Sequence, residues 1–445
     1  KCIFFVEIQA SIASPLVITQ MIQASVSSLG MDLEQDRISN LPEHITVKIL
    51  SLLPIRDAVR MSILSSMWRY RWATIPDIEF DDRSLISSQG FPINKLVNIV
   101  DHVLLLHTGT INKFKLSHRD LAGIADIDRW ILYLSRNPIK KLIFKIYKGQ
   151  SYKLPSGLYS CRELLHLEAY NCWVHLPKTF AGFRSLRTLY LDRVEVSKHA
   201  LESLIRSCPL LKRLTLNNLL GLTLFGFTCV DIHSPKLQQV HLGGFFADVN
   251  FIGTSILGAV QINWMNEMDS ESPGRLLKFF GSLPKLRALY MHNYFIKFLG
   301  SGSVPEQLPS PCLHLRHLTM HINLERRAER STALCIFRSL PNLRQLEIKV
   351  HVKGAVFPSA EVGFWTEQPQ RNCPLAKLKA VKLAGISMGA LELDFIKFLL
   401  ANSAVLERMT VKPRPAASSV QWEFAKELLR APRASARSQI LFMDA

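Results

Sequence analysis

The sequence predicts an α/β chain of two unlike parts: a short helical module, then a solenoid whose curved parallel sheet carries helices on its convex side. Three observations predict it. An apolar pattern L-x-x-L-x-L recurs beyond residue 100, with steps from 20 residues (Leu237 to Leu257) to 35 (Leu343 to Leu378) between first positions. A helical apolar stripe lies between Pro42 and Pro54. The chain's 445 residues, 48% hydrophobic and 20% charged, have globular composition but exceed what one core holds.

In the helical module, expected over 31–80, Ile45, Ile49, Leu52 and Leu53 fall at i, i+4, i+7 and i+8, one face of a helix. Pro42 suits its first turn, where the missing N–H costs nothing. Pro54 pushes Leu53 out of the helical region and closes it. A second helix starts near Asp57, whose charge suits a positive N-terminus, with Val59 and Ile63 one turn apart. Trp68 and Trp72 repeat that spacing in a third short helix. Three helices of about ten residues cannot bury this apolar surface among themselves. The surplus face either binds a partner through its tryptophans or caps the solenoid that follows.

In the repeats, expected over 81–372, the clearest first positions are Leu164, Leu186, Leu211, Leu286, Leu315 and Leu343. Weaker ones are Ile111, Ile139, Leu237, Leu257, Leu378 and Leu406. Helical stretches are expected at 200–207, 275–281 and 334–340. Proline steps at Cys208-Pro209, Ser234-Pro235, Leu283-Pro284 and Leu340-Pro341 restart the chain in extended form. Residues two, four and six after each first position alternate away from the core. They are lysines at both ends of the array (Lys113, Lys115, Lys141 and Lys145; Lys349, Lys382 and Lys412) and rich in Tyr, His and Asn in the middle. The expected target-contact set is His166, Tyr170, Tyr190, Arg213, Asn217, His241, Asn263, Tyr290, His292, His317 and His321. Residues 373–445 form a strand–helix–strand unit and a tail expected to cap the sheet's open edge.

The formal net charge of +18, from 54 Lys+Arg against 36 Asp+Glu, favours acidic partners. No block of five or six basic residues marks a specific nucleic-acid footprint. The eight cysteines form neither CxxC pairs nor a dense framework, so reduced thiols of a cytoplasmic or nuclear protein are expected, with no structural metal. No apolar run reaches the ~18 residues of a membrane helix. Residues 1–30 read as an extension preceding a natural start at Met31. The motifs of hydrolases, P-loop enzymes, metalloproteases and dinucleotide enzymes are absent, so neither catalysis nor a cofactor is expected.

Asp36-Arg-Ile-Ser-x-Leu41-Pro42, Ile49-Leu50-Ser-x-Leu53-Pro54, Ala58-Val59-Arg-x-Ser-x-Leu64-Ser65 and Trp68-Arg-x-x-Trp72 together resemble the plant F-box consensus. The C-terminal quarter resembles the FBD segment of plant F-box/FBD/LRR-repeat proteins. The resemblance implies docking of a Skp-family adaptor, and through it a cullin and a RING subunit, by Leu41, Pro42, Ile45, Ile49, Leu50, Leu53, Pro54, Val59, Ile63, Leu64, Ser65, Trp68 and Trp72. Ser66 and Met67 depart from the family's basic residues before Trp-Arg. The implied role is the substrate-recognition subunit of a Skp–cullin–F-box (SCF) ubiquitin ligase, with the concave repeat face holding a target protein. The alternatives are a non-degradative scaffold or small-ligand receptor that uses the F-box only for assembly, and a repeat protein holding an acidic polymer by its end lysines.

Overall fold

Repeats enter their strands through one turn. Leu211, Leu237, Leu286 and Leu343 donate their N–H groups to the carbonyls of Cys208, Ser234, Leu283 and Leu340 at 3.1–3.3 Å. The proline between each pair is thus the second residue of a four-residue turn, where its fixed φ is preorganised. Repeats without proline use the same bond, as from Leu257 to Thr254 (3.0 Å) and from Leu406 to Ser403 (3.2 Å).

The computed structural model describes residues 41–63, 68–81, 93–118, 126–147, 149, 151–220, 229–265, 274–351, 362–367, 375–415 and 418–443. Residues 1–40, and with them the expected start at Met31, lie outside these. So do Leu64, Ser65, Ser66, Met67 and the side chain of Ile63. The chain divides into two units, Lys1–Val196 and Ser197–Ala445.

The first unit opens with α1 (Glu43–Leu50) and α2 (Ile55–Arg60), followed by 3-10 turns at Met61–Ile63 and Arg71–Thr74. The third helix expected around Trp68 and Trp72 is realised only as this second turn. Next come β1 (Asp77–Phe80), α3 (Ile93–Leu106), β2 (Lys113–His118), α4 (Asp126–Ser135), β3 (Lys141–Ile146), β4 (Tyr152–Lys153), β5 (His166–Tyr170), β6 (Cys172–Trp173) and β7 (Thr188–Asp192). Strands β1, β2, β3, β5 and β7 pair in that order, all parallel. Leu96, Ile99, Val100 and Val103 of α3, and Ile127, Trp130, Ile131 and Leu134 of α4, are buried at the i, i+3, i+4, i+7 spacing that puts them on one face. The Trp130 indole donates to Asp101 Oδ1 at 2.6 Å, tying α4 to α3. Thr108 N–H donates to the Ala73 carbonyl (2.9 Å) and a His107 ring nitrogen contacts the Ile75 carbonyl (2.9 Å), so the end of the helical module is fastened to the segment that follows α3.

The second unit runs α5 (Lys198–Arg206), β8 (Arg213–Asn217), β9 (Val230–His233), β10 (Gln239–Gly244), β11 (Val249–Ile252), β12 (Ala259–Trp264), α6 (Arg275–Gly281), β13 (Ala288–Asn293), α7 (Phe295–Leu299), β14 (His317–Ile322), α8 (Arg327–Arg338), β15 (Gln345–Val350), β16 (Ala380–Ile386), α9 (Ala390–Asn402), β17 (Arg408–Pro413), α10 (Ser418–Arg430) and β18 (Gln439–Phe442). Its parallel sheet has the order β8-β10-β12-β13-β14-β15-β16-β17-β18. Ser197 Oγ accepts the Ala200 N–H (3.2 Å) and so starts α5 two residues before the expected point. Trp264 packs against Phe295 and Phe298 with ring centroids 5.0 and 4.3 Å apart, closing the core beneath β12 and β13.

All the expected repeat strands form, each beginning two residues after its first position. Strands β1 and β18 add to them. Some return segments are extended rather than helical: β4 with β6 and β9 with β11 form small parallel pairs. Residues 373–445 contribute β16, β17 and β18 to the sheet, so the segment lengthens the array rather than folding over its edge. Among the described residues no helix is long and apolar enough to cross a membrane.

Candidate partner-docking faces

The prolines shape the first face. The Pro42 carbonyl accepts the N–H groups of Ile45 (3.0 Å) and Thr46 (3.1 Å), and the Pro54 carbonyl those of Asp57 (2.9 Å) and Ala58 (3.0 Å). Each proline therefore caps the helix that follows, and the α1–α2 corner is a short tight apex. On that apex Leu52 is 82% exposed, Ile49 38% and Leu53 36%, although all three are large and apolar. Pro42 and Pro54 are exposed beside them, and Leu41 and Ile45 are half-buried.

The other expected docking residues among those described are inside. Leu50, Val59, Trp68 and Trp72 are buried, Trp72 being 1% exposed. The sequence reading put them on the partner surface. In the folded chain they join Ile55 and Ala58 in the seam beneath the apex, because the short helices close only around large side chains. Leu52, the most exposed residue of the apex, stands in the same stripe seven residues after Ile45 but outside the expected docking set.

The second face is the outward side of the sheets, described for each unit separately. In the first unit Glu168 is held by His166 (2.7 Å) and Lys145 (3.0 Å). The His166 hydrogen bond and the Lys145 charge outweigh burial and pull its carboxyl down to about 2. Tyr170 meets Tyr147 at a tilt (centroids 5.2 Å apart) and lies under the Arg193 guanidinium (5.5 Å). The Tyr190 hydroxyl donates to Asp192 (3.0 Å), and Lys145 stands 5.9 Å from its ring. Two of the end lysines expected to hold an acidic polymer are engaged, Lys113 with Glu79, and Lys115 with Glu79 and Asp81.

In the second unit Arg213, Asn217, His241, Asn263, Tyr290, His292, His317 and His321 share one side of adjacent strands. Tyr290 and His317 line an open groove of about 360 Å³ with Gln345, Glu347, Lys382 and Thr410, and Glu347 and Lys382 pair across it at 2.9 Å. Next to it His292 and His321 meet edge to face, with ring nitrogens 3.0 Å apart. Gly243 leaves a notch beside Asn217 and His241, since an added Cβ would fall 2.6 Å from Asn217 Oδ1. The groove's charged pair escaped the expected set because charges at strand positions read as ordinary solvated residues.

The described thiols are not activated. Burial pushes the thiols of Cys161 and Cys172 up to about 12 and those of Cys312 and Cys335 up to about 11, so they stay protonated. Among the described residues no cluster of three or more His, Cys, Asp or Glu could hold a metal ion.

Comparison with known proteins agrees with this layout. Residues 38–77 match the F-box domain, residues 127–348 match the model "FBD-associated F-box protein At5g56370, LRR repeats", and residues 372–411 match FBD. The F-box/FBD/LRR-repeat protein At1g13570 of Arabidopsis thaliana is 36% identical over 418 residues, which is 92% of this chain and 99% of that protein. From the same plant, F-box/FBD/LRR-repeat protein At5g53840 is 28% identical over 404 residues (85% of this chain, 88% of the relative), and FBD-associated F-box protein At5g22730 is 25% identical over 457 (92% and 94%). With an F-box, leucine-rich repeats and an FBD segment in one chain, and a relative matched over almost its whole length, the protein belongs to the F-box/FBD/LRR-repeat family.

Proposed function

We propose that the chain is the substrate-recognition subunit of an SCF-type ubiquitin ligase in the cytoplasm or nucleus. Its F-box apex docks a Skp-family adaptor, which brings in cullin and RING subunits, and its outward sheet faces hold a target protein. The observation that carries this reading is the apex. Ile49, Leu52 and Leu53 protrude between two proline caps while Trp68 and Trp72 are committed inside, so the exposure is built into a rigid support. Covering Leu52, the most exposed of the three, is worth roughly 1.5–3 kcal/mol, and covering the already largely buried Ile49 and Leu53 adds a smaller amount each. The chain itself does no chemistry in this reading. It raises the effective concentration of target lysines near a charged ubiquitin enzyme supplied by its partners.

The outward groove beside Tyr290 and His317 is the proposed target contact, because a tyrosine on a rigid sheet anchors a partner at small entropic cost. The test is proteomic. Proteins captured by the wild-type chain, lost from a Tyr290→Ala plus His317→Ala variant, and raised in abundance by proteasome inhibition are the expected targets. Captured proteins whose abundance is indifferent to the proteasome would instead identify a non-degradative scaffold.

A further inference from the structure

The second unit's strands are in register, and this gathers charges that the linear sequence scatters. The residue after each repeat's first position lies on one edge, at the N-terminal ends of the strands. There the backbone forms a ladder: Arg287 N–H to Gly258, Arg316 to Arg287, Arg344 to Arg316, Lys379 to Arg344 and Glu407 to Lys379, at 2.7–2.9 Å. Four consecutive strands, β13 to β16, thus carry Arg287, Arg316, Arg344 and Lys379 at equivalent places, about 4.8 Å apart. All four are exposed, and Arg287, Arg316 and Arg344 form no ion pair among the described residues. Exposed Lys285 and Lys377, two residues before Arg287 and Lys379, add to the same edge.

We propose that this arginine ladder is a binding site for an acidic, extended peptide segment of a partner protein, lying across the strands along the edge. Three observations favour that occupant. Glu407, next in the ladder, seats its carboxylate on Lys379 at 2.8 Å, so the edge already displays the pairing that an incoming Asp or Glu would make. The ladder runs into an open groove of about 770 Å³ whose lining includes Arg344, Lys379 and Arg437 together with Ala376, Ala404 and Val405, charged heads above short apolar walls that suit a peptide backbone and methylene stems. Those walls carry no aromatic ring on which a nucleic-acid base would stack, and a concave groove does not fit a flat bilayer. Guanidinium forks bind carboxylates through two parallel hydrogen bonds, and three in a row across about 10 Å would engage three or four residues of extended chain. This site goes beyond the proposed function: it lies on the sheet's edge rather than its outward face and does not depend on adaptor docking.

The test uses the full chain and a fluorescein-labelled peptide of about twelve residues alternating Glu and Gly, followed by anisotropy at low salt. Arg287→Glu, Arg316→Glu and Arg344→Glu together should weaken binding at least about tenfold. Lys141→Glu, Lys349→Glu and Lys412→Glu, an equal change of charge elsewhere, should weaken it less than about twofold. The triple Arg→Gln variant of the ladder should give an intermediate loss and carries the test if charge reversal impairs folding. Equal losses in the ladder and comparison variants, no loss in the ladder variants, or tighter binding of oligouridine or phosphatidylserine vesicles than of the peptide would each overturn the assignment. Adaptor capture measured on the same preparations separates this outcome from failure of the F-box reading, since the ladder variants should retain it.

Discussion

His292 Nδ1 and His321 Nε2 stand 3.0 Å apart on neighbouring strands β13 and β14, one imidazole donating to the other. Such a bond requires at least one neutral ring. Burial, the His292 ring, Lys349 and His351 lower His321 from 6.5 to about 4, and burial and Lys349 lower His292 against the opposing pull of Glu347. The unfolded chain therefore binds more protons than the folded one between these values, so stability is full above pH 6.5 and falls towards pH 4. Urea unfolding of wild type across that window should show the decline, and His321→Gln should flatten it. An unchanged slope in the variant would remove the pair as its source.

Glu168 provides a contrast at lower pH. Its carboxyl, normally near 4.5, is held at about 2 by His166 and Lys145, so its contribution is present above pH 4.5 and lost as pH falls towards 2. Glu168→Gln should cost about 1 kcal/mol at neutral pH, the pair being partly exposed, and should leave the higher window untouched. Unfolding curves at matched pH values distinguish the two residues.

Asp394 on α9 anchors the 362–367 loop through three backbone bonds, accepting from Gly363 (3.2 Å), Trp365 (3.0 Å) and Thr366 (3.3 Å). Trp365 is thereby held against Phe395 and Phe398, with ring centroids 4.8 and 5.2 Å away. Asp394→Ala leaves those donors without their acceptor and should cost about 2–4 kcal/mol. Limited proteolysis should then cut within 362–367 well below the melting temperature, whereas the wild type resists there.

Asn171, Arg193 and Asn218 follow β5, β7 and β8 directly and have φ values of 55°, 51° and 47°. Asparagine tolerates this left-handed turn and arginine less so, which makes Arg193 a strained copy of its neighbours. Arg193→Asn should stabilise by about 0.5 kcal/mol net of the lost contact with the Tyr170 ring, and Arg193→Val should destabilise by about 1–2 kcal/mol. Thermal melts of the two variants should move in opposite directions.

The strands were legible because their first positions fix both the turn and the register. Strand β1 was not, although Ile75, Ile78 and Phe80 carry the same spacing, because it directly abuts the helical module and stands apart from the array that begins at Ile111. Strand β18 was hidden because Arg437 stands where the leading leucine belongs. Helical spacing of Trp68 and Trp72 told that they share a face but not which way it points, and that direction is set by what the rest of the module packs against. The arginine ladder was invisible for another reason: Arg287, Arg316 and Arg344 are neighbours only once strands pair.

The account rests most on the exposed apex. The direct measurement is the affinity of a purified Skp-family adaptor for the chain, compared with a Leu52→Asp plus Leu53→Asp variant and with Trp72→Phe. The account predicts that the double variant melts like the wild type yet loses adaptor affinity by about a hundredfold or more, while Trp72→Phe changes stability and leaves affinity within about threefold. A folded double variant that still binds the adaptor within about twofold of wild type would contradict it.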